Sequence, residues 1–226
     1  MNFINSIFID DKSNQNTLKS KILFSGVGVH NGRAVTVSVE PADIDTGIIF
    51  KRTDICNNNE INAVIDNVVN SSLCTKIENS NGVSVSTIEH LMAAFSALNL
   101  DNVLVKINAP ELPALDGSSH EYIKKILKIG VKTQEKKRKF LKIVRKVEVQ
   151  DGNRFISVLP SNELSINISI NYPNTIIGFS EYFYKHSQEN FIKNISMART
   201  YTLSDDIEKM RTAGLAIGGN LNNAIV

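Results

Sequence analysis

Glu89 and His90 stand side by side in the stretch 86–98, STIEHLMAAFSAL, and are its only charged or titratable side chains. An imidazole can hold a metal ion, and a carboxylate beside it can take the proton of a metal-bound water. Together they are an economical way to activate water for hydrolysis. The same letters admit a structural account. Ser86-x-x-Glu89 fits a capping box, in which the serine hydroxyl accepts from the Glu89 N–H and the glutamate reaches back to the Ser86 N–H. His90 would then be a hydrogen-bonded core histidine. Local pattern leaves both accounts open.

The surrounding elements decide where such a pair would sit. At about 100° per residue, Ile88, Leu91, Met92, Phe95 and Leu98 share one side of the helix, and His90, Ala93, Ala94 and Ala97 the other. A helix with one bulky and one alanine face is covered on both, so the pair belongs at a buried or cleft-lining end, where free N–H groups favour a carboxylate. Alternating runs at 34–41 (AVTVSVEP), 61–66 (INAVID) and 101–108 (DNVLVKIN) read as strands, and 118–130 as a second amphipathic helix. The window 131–139, VKTQEKKRK, reads as a solvated connector. Beyond it come two β runs joined at Asp151-Gly152, a hairpin signal, then LSINISINYP and a helix within 204–213. The expected fold is α+β: a two-layer β-sheet/helix sandwich, duplicated as two similar domains with the second incomplete. Its divisions are a disordered arm at 1–16, a first domain at 17–134 carrying the Glu-His helix, and a second at 135–226.

Composition narrows the setting. The 226 residues carry a formal charge of +2, which gives no basis for a nucleic-acid groove or a polybasic membrane patch. The only cysteines, Cys56 and Cys74, make no disulfide framework, and Cys74 reads as a small buried neighbour, not a nucleophile. No apolar run reaches the length of a transmembrane segment, and the start lacks a signal-peptide pattern, so the expected location is cytoplasmic.

Four stretches carry a resemblance: 25–54 (beginning SGVGVHNGRAV), 71–75 (SSLCT), 85–119 (with STIEHL and NAPELPALDGS) and 195–226 (with ARTY). In this order they resemble the zinc-dependent UDP-3-O-acyl-N-acetylglucosamine deacetylases of lipid A biosynthesis, collinearly from about residue 17 to the last. The resemblance implies hydrolysis of the N-acetyl group of a UDP-linked, 3-O-acylated glucosamine. It implies Glu89 as general base, His90 as a Zn2+ ligand and Thr200 as the hydroxyl that holds the developing oxyanion. Leu73 and Cys74 match residues beside the catalytic mouth. Tyr201, Leu203, Ile207, Ala216, Gly219 and Val226 match an insert lining an apolar passage for the acyl chain, and His30 a site-proximal histidine that is not a ligand.

One departure matters. A catalytic zinc takes about three protein ligands plus water, and the family draws two of them from a His-x-x-x-Asp helix. Four residues after His30, His90, His120 and His186 stand Ala34, Ala94, Lys124 and Asn190, so no such pair occurs. The family's later general-acid histidine and the lysine beside its second ligand are likewise unmatched. The expectation is therefore a deacetylase chain cut inside its second domain, with the remaining ligands on a complementing C-terminal segment. The alternatives are a binding module for acylated sugar nucleotide without a complete metal site, and a site rebuilt with His30, Cys74 or an acidic residue.

Overall fold

Apolar residues at every second position mark several of the strands. The computed structural model describes the backbone from Ser6 to Val226 and the side chains of Ile9 and of residues 13–226. In chain order its elements are β1 (Ser6–Leu18), β2 (Ile22–Val27), β3 (Ala34–Pro41), β4 (Ile48–Arg52), β5 (Glu60–Asn62), β6 (Val68–Val69), β7 (Lys76–Glu78), β8 (Ser84–Ser86), α1 (Glu89–Ala97), β9 (Val103–Ile107), α2 (His120–Ile129), β10 (Val131–Ile143), β11 (Val147–Asp151), β12 (Arg154–Val158), β13 (Ser165–Tyr172), β14 (Gly178–Lys185), α3 (Gln188–Asn190) and α4 (Ser204–Thr212). The architecture is α+β, as the sequence implies.

The chain divides into two units, one formed by Gln15–Lys136 with Ile192–Val226, the other by the segment up to Asn14 with Lys137–Phe191. The chain passes between the units at Asn14/Gln15, Lys136/Lys137 and Phe191/Ile192. Main-chain hydrogen bonds hold the returning segment: the N–H groups of Thr200, Ile217 and Gly218 donate to the carbonyls of Gly117, His30 and Val29.

The larger unit is built on a five-stranded sheet in the order β2-β3-β9-β4-β5, antiparallel except for the parallel pair β4–β9. Val35, Val37 and Val39 of β3 point into the core with Ile22 and Phe24 of β2 and Val103, Val105 and Ile107 of β9. α1 packs against α2 and α2 against β2, and the Phe24 and Tyr122 rings meet at 4.8 Å. Leu91 and Phe95 are buried on one side of α1, Ala94 and Ala97 on the other, so this helix is covered on both faces.

Three expectations are corrected. The charged window 131–139 lies within β10, which pairs with β1 as a two-stranded ribbon, and β1 occupies most of the expected disordered arm. Residues 1–5 of that arm lie outside the described residues. The run 61–66 ends as a strand at Asn62 and continues as a 3-10 turn at Ile65–Asn67, with Val64 and Ile65 exposed instead of alternating into a core.

The smaller unit contains two antiparallel hairpins, β11–β12 and β13–β14. Asp151 pairs with Arg154 across the two-residue loop Gly152-Asn153, and Gly152 takes a φ of +57°, as such turns require. Among residues 137–191, Tyr184 is the one buried apolar side chain, while Phe155, Ile156, Ile168, Phe179 and Phe183 are exposed.

Candidate functional site

The helix carrying Glu89 and His90 begins without the capping box. Ser86 belongs to β8, and both its N–H and its hydroxyl donate to the Pro110 carbonyl, at 2.9 and 3.2 Å. Thr87, at φ +58°, then turns the chain, and α1 starts at Glu89 with no side-chain cap. With the Ser86 N–H already engaged, the Glu89 carboxylate is turned away from its own helix. Its Oε2 accepts the Thr75 N–H at 3.0 Å, and the side chain lines a cavity of about 330 Å³. That volume is at the lower end of the range for small-molecule sites.

Thr200 reaches the same cavity from the far end of the chain. Its N–H donates to the Gly117 carbonyl at 2.8 Å, and its carbonyl accepts the Ile225 N–H at 2.9 Å. Gly117 is required twice over: its φ is +83°, and a Cβ there would lie 2.1 Å from the Asn223 carbonyl oxygen. Arg199, next to Thr200, donates from Nε to the Asp116 carbonyl at 2.7 Å. These anchors set the Thr200 hydroxyl 3.2 Å from His90 Nε2, across 110 residues of sequence. Burial pushes the His90 imidazole below its ordinary pKa, opposed by the nearby charges of Glu89 and Asp116. The outcome favours a neutral ring, the form that binds a metal or accepts a hydrogen bond.

Of the residues singled out in the sequence, His30, Leu73, Glu89, Thr200, Tyr201, Ile207, Ala216, Gly219 and Val226 line this one cavity. His90 adjoins it through Thr200. Cys74 and Leu203 do not line it: the Cys74 thiol is 3.7 Å from the Ser71 hydroxyl, in a turn closed by that hydroxyl donating to the Cys74 carbonyl, and Leu203 sits at the start of α4. Sequence reasoning missed several wall residues, Thr87 and Arg211 among them. Arg211 follows Ile207 by one helical turn on α4, a spacing that could have revealed it. Thr87 left no such signal, because its exposure to the cavity comes from the strained turn.

A cavity bearing a carboxylate and a hydroxyl, with a neutral imidazole at its edge, suits hydrolysis of a polarised carbonyl. Residues 15–226 match the family model described as UDP-3-O-acyl N-acetylglycosamine deacetylase. The chain belongs to this deacetylase family. It is 39% identical over 214 residues to UDP-3-O-acyl-N-acetylglucosamine deacetylase of Mannheimia succiniciproducens. It is 41% identical over 215 residues to the protein of that name from Haemophilus ducreyi. Each match covers 94% of this chain and 70% of the relative. The similarity to the deacetylase of Wigglesworthia glossinidia brevipalpis, 39% over 215 residues, covers 72% of that relative. Among the described residues no helix is long and apolar enough to cross a membrane.

Proposed function

We propose that this chain serves the hydrolysis of the N-acetyl group of UDP-3-O-acyl-N-acetylglucosamine, in lipid A biosynthesis. The observation that carries the reading is the meeting of Glu89 and Thr200 on one cavity, with His90 Nε2 3.2 Å from the Thr200 oxygen, in a chain of this family. Glu89 accepts the proton of the attacking water, so that the oxygen can add to the acetyl carbonyl. The Thr200 hydroxyl donates to the oxyanion that forms, from a position fixed in advance by the Gly117 and Ile225 main chain. Collapse of the tetrahedral species breaks the C–N bond as the proton taken up by Glu89 passes to the departing nitrogen, releasing acetate and leaving a free amine on the sugar. Leu73 and the residues from Tyr201 to Val226 that line the cavity receive the acyl chain.

Zinc, when bound, would polarise the acetyl carbonyl and acidify the water. Among the described residues no group of three His, Cys, Asp or Glu is placed to hold a metal. His90 is thus one ligand without a set, and the residues present do not fit a catalytic zinc by themselves. The chain spans 70% of the length of its Mannheimia and Haemophilus relatives, and the remaining ligands would come from a complementing C-terminal segment.

Bound zinc and acetate release from UDP-3-O-acyl-N-acetylglucosamine, measured with the chain alone and with a polypeptide covering the unmatched part of those relatives, test this directly. Zinc uptake and turnover in the mixture alone support the reading. Stoichiometric zinc and turnover by the chain alone would remove the need for the segment. Substrate binding without turnover in either case would establish instead a binding module for acylated sugar nucleotide, the reading favoured by the missing ligand set.

A further inference from the structure

Glu111, in the turn between β9 and α2, is 1% exposed. No ion pair of its carboxylate occurs among the described residues, and a buried charge must be met by hydrogen bonds. The donors are neutral. The N–H of His30 reaches Oε1 at 2.8 Å, the N–H of Asn31 reaches Oε2 at 2.8 Å, and the Thr87 hydroxyl reaches Oε1 at 3.2 Å. Successive backbone N–H groups that converge in this way form an anion-binding nest. Here the anion is part of the protein. The loop is shaped around it: a Cβ on Gly28 would lie 2.5 Å from Glu111 Oε2.

Two of the three residues that Glu111 holds, His30 and Thr87, belong to the cavity, although Glu111 itself does not line it. Val29, His30 and Thr87 are wall residues. The carbonyls of His30 and Val29 in turn accept the N–H groups of Ile217 and Gly218, both at 3.0 Å, next to the wall residues Ala216 and Gly219. One carboxylate therefore joins three stretches: the 28–32 loop, the Thr87 turn two residues before Glu89, and, through the loop, the 216–219 wall.

We infer that Glu111 is a positioning residue whose carboxylate fixes the 28–32 loop and the Thr87 turn, and through them the cavity wall that receives the acyl chain. The acyl assignment rests on the function proposed above; the anchoring of the loop does not. In Glu111→Gln the side chain keeps its shape, but its NH2 group confronts one of the two backbone N–H donors. Hydrogen exchange on the whole chain reads the anchoring. Binding of a fluorescent twelve-carbon fatty acid reads the wall.

The expected result is an exchange rate at the His30 and Asn31 amides raised about tenfold or more, with the amides of β3 and β9 unchanged, and an acyl-probe Kd weakened about tenfold. Unchanged exchange at His30 and Asn31 overturns the inference, as does a uniform rise across the larger unit, which would make Glu111 a general stability element. If the wild-type chain does not bind the fatty acid, the acyl reading fails while the exchange result still decides the anchoring. Should Glu111→Gln not fold, Gly28→Ala attacks the same contact from the loop side. The same local loss is then expected, and a silent Gly28→Ala overturns the proposal.

Discussion

β3 in the larger unit and β13 in the smaller one carry nearly the same message in sequence, apolar and polar residues alternating over eight positions. Their fates differ. Val35, Val37 and Val39 of β3 are buried, whereas Ile166, Ile168 and Ile170 of β13 stay 40%, 52% and 36% exposed. Alternation makes a strand with two chemically distinct faces. Burial depends on what covers the apolar face, and α1 and α2 do this in the larger unit.

The sharpest way to break this contrast is a matched pair of truncations followed by chemical denaturation. Phe95→Ala, in a fully buried site of α1, should cost about 3–5 kcal/mol. Ile168→Ala should cost less than about 1 kcal/mol, because half of its surface already faces water. Equal losses would show that both sheets are covered alike. Next in size is Gly117→Ala, which forces a side chain into a φ of +83° and against the Asn223 carbonyl. A loss of about 2–3 kcal/mol is expected, together with displacement of Thr200. Glu89→Gln separates chemistry from packing. The amide oxygen can still accept the Thr75 N–H, so stability should hold within about 0.5 kcal/mol, while turnover in the complemented system falls about 10²- to 10⁴-fold.

The smallest effect concerns pH. A histidine held below its ordinary pKa takes up its proton more readily in the unfolded chain, so its contribution to stability is fully present above about pH 6.5. That contribution is lost as the pH falls from there toward the folded-state value. Melting curves between pH 8 and pH 5 should show this decline. His90→Gln should flatten it, and an identical slope in the variant would assign the decline to other groups.

What the sequence made legible was local. The Asp151-Gly152 turn, the inward valines of β3 and the doubly covered helix are each written in adjacent residues. The β1–β10 ribbon was not, because Lys132, Lys136 and Lys139 are charges a strand accepts when neither face enters a core. The capping box failed for a related reason: Ser86 is claimed by the Pro110 carbonyl, a partner 24 residues away that no local rule can supply. The position of Thr200 beside His90 was reachable only through resemblance, since main-chain bonds to Gly117 and Ile225 create it. Glu111 was less legible still, as two of its three donors are backbone amides that every residue type but proline possesses.

The suspension of Thr200 from carbonyl and amide groups also bears on how freely this site can be rewritten. Its hydroxyl is aimed by peptide units and by the neighbouring Arg199 side chain, so saturation libraries along the cavity wall should keep the hydroxyl in place wherever glycine is preserved at 117 and arginine at 199. Under the proposed function, a different tail preference could then be engineered along the wall without disturbing the end that carries Thr200.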